Sequence, residues 1–311
     1  MRFLNFLFKR NKNTNIDYSY MSKSEFENKE FLNHHKIFLE NPKLDKDIIY
    51  NGRVRKKNLI VNEDYFEWID VLMSIKDCEN DNYHFCELGS GYGAWGVRAF
   101  NNLYLNKKIK NYFIDFVEAE PRHVQLNFNH CRDNNIENFN IWNGIVSNFN
   151  GEDLFYVNQP NQDIQSIHLD WWGQAKVQEH EVITHSSGMY EGNKIYNLKS
   201  GYQAIKVKTI NIKKITKSWT LVDCVNIDVQ GEEYNILNYD IKNFNNKVKR
   251  LHIGTHGHEI EKSIFKLLSS NGWINIRNYP MHTLNDTPYG KVQFVDGSQS
   301  WINSRFNATF A

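Results

Sequence analysis

Between residues 84 and 100 the chain reads HFCELGSGYGAWGVRAF, and four of its 17 glycines fall at positions 89, 91, 93 and 96. The preceding YHFCEL is a short apolar strand, and VRAFNNLYL after it sets Val97, Phe100 and Leu103 on one helical stripe. A strand that runs through glycines into a helix places backbone amides and a helix N-terminus at the carboxyl edge of a sheet. Glycine allows the positive φ and the close backbone approach that such a bend requires. Gly91, Gly93 and Gly96 also satisfy G-x-G-x-x-G, which is a weak signal taken alone. The segment therefore predicts an α/β chain with a ligand at this bend.

The remaining elements alternate. VNEDYFEWIDVLMSI (61–75) predicts a helix with Asn62 as N-cap and Glu63 and Asp64 in its first turn. YFIDFVEAE (112–120) is strand-like, PRHVQLNFNHCRDNN (121–135) is a helix opened by Pro121, and NFNIWNGIV is a further strand. TLVDCVNIDV (220–229) and VKRLHIGTH (248–256) read as strands, each followed by a helix: GEEYNILNY, and EIEKSIFKLLSSNG with its Asn271-Gly272 stop. WINIRNYP and KVQFVDGSQSWIN predict an antiparallel hairpin at the sheet edge. Strands alternating with helices give a doubly wound, mostly parallel sheet. We place it in a domain over residues 61–311, after an N-terminal extension of residues 1–60. Residues 151–205 break the alternation with LFYV and a long polar run holding HLDWWGQAK, which predicts a substrate-binding insertion or lid.

Composition excludes some classes. A net charge of +1 argues against a nucleic-acid partner. Cys78, Cys86, Cys131 and Cys224 lie too far apart for a zinc ribbon or disulfide framework and read as reduced core thiols of a cytoplasmic protein. MRFLNFLFKRNK is either a weak contact with the inner face of the membrane or a docked or frayed terminus. Arg53, Arg55, Lys56 and Lys57 either attract an acidic acceptor or form a solvated basic face.

Two acids bias the bend toward a cationic nucleoside. Glu87 stands two residues before Gly89, where a carboxylate holds an ammonium group and repels a pyrophosphate. Glu120 ends the next strand, in place to accept from both ribose hydroxyls, and Glu118 ranks below it. Asn143 is placed to read an adenine amino group, and Tyr92 and Trp95 either cover the ligand or pack the core.

At these residues the chain resembles a known family. ELGSGYG is similar to the first motif of class I S-adenosylmethionine-dependent methyltransferases. AEPRHVQLNFN, with Leu126 and Asn129, resembles the second-strand motif of the FkbM-type branch. VNIDVQGEEYNIL resembles that branch's K-I-D-V-E-G-x-E at Ile227, Asp228, Val229, Gly231 and Glu233, and departs from it at Asn226 and Gln230. In LHIGTHGHEIEKSIFKLLSSNGW, His256 holds the family's histidine position, while Gly254 stands where a carboxylate is common. The resemblance covers about residues 80–280 and implies a seven-stranded Rossmann-like methyltransferase fold.

It also implies methyl transfer from S-adenosylmethionine to a hydroxyl of a carbohydrate or glycoconjugate such as a capsule or lipopolysaccharide sugar. The donor site would then include Glu87, Gly89, Gly91, Gly93, Glu120, Asn143 and Asp228. Asp228 and His256 would carry the chemistry. A neutral His256 suits a general base near pH 7. Asp228 orients the acceptor, orients His256, or shares a divalent metal with it; Gln230 and Gly254 argue against an obligatory metal. Trp171 and Trp172 are either a sugar-stacking platform or a core-closing pair. Two other readings stay open: an NAD-dependent oxidoreductase, and a non-catalytic methyltransferase-like protein.

Overall fold

The computed structural model describes residues 49–50, 53–54, 62–160, 174–177, 183–288 and 290–306. The expectations for the N-terminal segment, for most of the basic cluster and for Trp171 and Trp172 lie outside the described residues. In chain order the elements begin with the two-residue strands β1 (Ile49–Tyr50) and β2 (Arg53–Val54), then α1 (Glu63–Lys76), β3 (Asn82–Leu88), α2 (Ala94–Asn101), β4 (Asn111–Glu118) and α3 (Pro121–Asp133). Next come β5 (Phe139–Asn143), β6 (Ile145–Ser147), β7 (Gly151–Asn158), β8 (Ile183–Tyr190), β9 (Asn193–Leu198), β10 (Gln203–Asn211) and α4 (Ile212–Ser218). The chain continues with β11 (Cys224–Ile227), α5 (Glu233–Lys247), β12 (Arg250–Thr255), α6 (His258–Ser270), β13 (Trp273–Tyr279), β14 (Thr283–Thr287), β15 (Gly290–Phe294) and β16 (Gly297–Asn303).

The central sheet has seven strands in the order β13-β16-β12-β11-β3-β4-β5. Every neighbouring pair from β12 to β5 is parallel, and β16 runs antiparallel to both β12 and β13. This is the expected doubly wound α/β class. Its order reverses between β3 and β11, so the loops leaving those two strands part from each other and open a crevice at the carboxyl edge. The apolar run of β11 is buried on both faces, as a central parallel strand must be. Packed against the sheet are Ile236, Leu237 and Phe244 of α5 and Ile264 and Leu268 of α6 on one side, and Val71 and Ile75 of α1 and Val97 of α2 on the other.

α1 is fastened by a buried acid. Asp70 accepts from Arg250 Nη1 at 3.1 Å and Arg277 Nη2 at 2.6 Å, pairs with His252 Nδ1 at 2.8 Å, and takes the Ser300 hydroxyl. Burial alone would raise its pKa, but Arg277, His252 and Arg250 overcome this and hold the carboxyl far below the usual range. Asn62 occupies the N-cap of α1, although its side chain makes no capping bond.

The region expected as an insertion holds a second sheet. Gly144, at φ 157°, turns the chain out of β5 into β6, and the order is β6-β10-β9-β8 with β7 also paired to β10. β10 joins β6 in parallel and β7 and β9 antiparallel. Glu191 (φ 47°) and Gly192 (φ 77°) form the two-residue turn of the β8–β9 hairpin. The tail hairpin is present as β13 and β16, with a small β14–β15 ladder between them. The four cysteines are buried free thiols. Among the described residues, no helix is long and apolar enough to cross a membrane.

Candidate functional site

A cleft of about 460 Å³ opens at the switch point and is walled by the glycine bend, α1, the ends of β4 and β11, and the second sheet. The bend is built by backbone geometry. Gly89 and Ser90 both donate to Val117 O at 2.9 Å, and Asp228 N donates to Leu88 O at 2.9 Å. Gly89 adopts φ 79°, and a Cβ there would fall on the carbonyl oxygen of Asp228. Gly96 serves packing rather than the ligand, since a Cβ on it would strike the Phe116 ring. Asn127, which sequence reasoning passed over, donates to Ser90 Oγ at 3.0 Å and fixes the loop from α3. Gly89→Ala is expected to destabilise the fold by about 2–3 kcal/mol or more, from left-handed strain plus a backbone collision. A shift of the urea midpoint at unchanged m-value checks this.

The carboxylates divide differently from the sequence expectation. Glu87 lines the cleft but spends its oxygens on the start of α2, accepting from Gly96 N at 2.8 Å and Trp95 N at 3.4 Å. Burial pushes its pKa up to about 8 against those amide bonds. Glu120 is displaced from its expected role. It is the N-cap of α3, accepting from His123 N at 2.6 Å and from the Tyr190 hydroxyl at 2.6 Å, and it does not line the cleft. Pro121 starts the helix there and turns the Glu120 carboxylate onto the helix's own amides. Glu118, ranked second from the sequence, lines the cleft instead and accepts from Gly91 N at 2.6 Å and Glu120 N at 2.7 Å. Burial raises its pKa. Asn143 is exposed outside the cleft because Gly144 redirects the chain; Gly144, Ile145 and Val146 line the wall in its place.

Tyr92 and Trp95 both line the cleft. Trp95 meets Trp68 edge-on at 5.8 Å, and the Arg98 guanidinium lies 4.5 Å from the Trp95 ring centre. The described part of the insertion reaches the cleft through Phe155, Gln174 and Lys176.

The structure brings Asp228 and His256 together at 3.5 Å. Gln230, at φ 51°, and Gly231, at φ 105°, turn the chain sharply after Asp228. His256 Nδ1 lies 2.8 Å from Glu233 Oε1, and its Nε2 lies 3.7 Å from Asp296 Oδ1. Burial pulls the imidazole pKa down, but bonds to Asp296 and Glu233 and the field of Asp228 carry it up to about 11. The ring is therefore an imidazolium at neutral pH, and the expected neutral base is corrected. The Gln230 amide nitrogen stands 2.8 Å from Nε2 and donates to Asp228 Oδ1 at 3.0 Å. The pKa of Asp228 is raised, first by the enclosing walls and then by Glu233 and Asp296, while His256 and Gln230 lower it. Its side chain is 42% exposed, into the cleft. His258 opens α6 and pairs with Glu261 at 3.1 Å, away from the cleft.

No protein-family model matches the chain. It is 27% identical, over 75% of its length and 77% of the relative's, to a Jannaschia sp. (strain CCS1) protein named "Putative methyltransferase". Among solved structures it is similar to methyltransferase FkbM from Methylobacillus flagellatus KT, at 11% identity and TM-score 0.42, covering 72% of this chain and 44% of that one. It is also similar to an rRNA methylase from Streptococcus thermophilus, at 7% identity and TM-score 0.41, covering 79% and 98%. Likenesses at that level carry no argument about substrate.

Proposed function

We propose that this chain is an S-adenosylmethionine-dependent methyltransferase acting on a hydroxyl of a carbohydrate-type acceptor. The observation that carries this reading is the acidic lining of the cleft at the glycine bend. Glu87 and Glu118 flank the loop, where a cationic nucleoside would draw both acids into their charged, accepting form and a phosphate pair would not. Its position in the cleft wall supports Glu118 as the acid that accepts from the ribose hydroxyls through its remaining lone pairs. Beside it Val117, Ala119, Ile145, Val146 and Phe155 leave an apolar wall for a purine. The named relative supports the same activity, and the FkbM-type motifs support the oxygen acceptor.

When bound, the donor supplies a methyl group already activated on sulfur. The chain's own work is to seat the acceptor and take its proton. His256 holds its proton at pH 7, so that task falls to Asp228, whose raised proton affinity suits a carboxylate base. His256 stands behind it as a fixed positive charge.

Calorimetric titration with S-adenosylhomocysteine tests the reading. Micromolar-range binding is expected, and Glu118→Ala should weaken it about 10–100-fold, the loss of hydrogen bonds to a charged group. Binding of NADH instead, or an undiminished affinity in the variant, would sink it.

A further inference from the structure

The far end of the same cleft is more acidic than the donor requires. Under the methyltransferase reading, a sulfonium, an ammonium and a carboxylate bring one net positive charge, and Glu87 and Glu118 flank the bend that would receive them. Five more carboxylates, Glu63, Asp64, Glu67, Asp228 and Asp296, line the cleft toward α1. The cations nearby are fewer than the acids: Arg98 lies over the Trp68 and Trp95 rings, Lys176 pairs with Asp153 and Glu232, and the His256 ring stands 3.5 Å from Asp228 and 3.7 Å from Asp296. The pKa of Glu67 is raised well above the usual range by burial and then by Asp64, Asp228 and Glu87, so a cation bound beside it would relieve the crowding of acids.

A second observation points the same way. Asn226 lines the cleft at 2% exposure, and its Oδ1 has no hydrogen-bond partner. In register it sits between Glu87 of β3 and His252 of β12. A buried acceptor without a donor is costly, and the lack is made good by a ligand N–H.

We infer that the methyl acceptor carries a protonated amine, which donates to Asn226 Oδ1 and is held among Glu67, Asp228 and Asp296. The substrate class is thus an amine-bearing molecule, such as an amino sugar with a free ammonium group. The inference rests on the methyltransferase reading, because the donor must fill the glycine end.

The experiment titrates protein saturated with S-adenosylhomocysteine against glucosamine, tyramine and spermidine, each beside its fully N-acetylated counterpart. At least one amine is expected to bind about ten-fold or more tighter than its acetylated form. Glu67→Gln should narrow that preference. Asn226→Lys, which sets an ammonium at the same spot, should remove amine binding while S-adenosylhomocysteine affinity stays within about three-fold. Equal or tighter binding of the acetylated forms, no amine binding up to about 10 mM, or amine binding that survives Asn226→Lys would overturn the inference. Failure of S-adenosylhomocysteine to bind removes the methyltransferase reading and this inference together. Its binding without an amine preference removes this inference alone.

Discussion

Asp228→Asn should lower kcat by about 10²–10⁴-fold, the usual worth of a positioned general base, while S-adenosylhomocysteine affinity changes little. The substitution keeps the shape and removes the basic oxygen. In the parent, kcat/KM should climb as pH rises through the raised pKa of Asp228 and then level off, because only the carboxylate accepts a proton. His256→Gln should shift this profile. Removing a positive neighbour that lowers the Asp228 pKa should move the acidic limb to higher pH. An acidic limb that stays in place would mean that another group controls it. A parallel loss of donor affinity in Asp228→Asn would remove Asp228 from the chemistry.

Asp70→Ala should cost about 3–5 kcal/mol, because it takes the shared acid away from buried Arg250 and half-buried Arg277. Typical folding free energies are about 5–15 kcal/mol, so much of the margin would go. The pH dependence has a defined sign. The folded-state pKa of Asp70 lies below its unfolded value, so its contribution is present above about pH 4 and declines as pH falls below that. Urea unfolding at pH 7 and pH 3 should show a gap between parent and variant that is larger at pH 7. An equal gap at both would mean that packing, rather than charge, holds α1.

The central sheet was legible because strands and helices alternate with clear periods, and the glycine bend marked its carboxyl edge. The exchange of Glu120 for Glu118 had a local sign that was passed over. An acid directly before Pro121 is an N-cap followed by a proline at N1, and a capping carboxylate is committed to the helix. The second sheet also left a trace in AIKVKTI, where Lys206 and Lys208 face solvent between buried Ile205, Val207 and Thr209. Other features had no local sign. Asp70 reads as one acid on an apolar helix face, and its partners lie 180 to 230 positions away. The charge of His256 is set by Asp228 and Glu233 from one segment and Asp296 from another, neither adjacent to it in the chain.

The contact between Gly89 and the Asp228 carbonyl makes the donor loop and the proton acceptor one mechanical bracket. In a mutant library, changes at the loop would therefore rarely trade donor affinity against turnover independently. Improved variants should emerge from the acid rim on α1 and from the second sheet, where the chain can drift without disturbing that bracket.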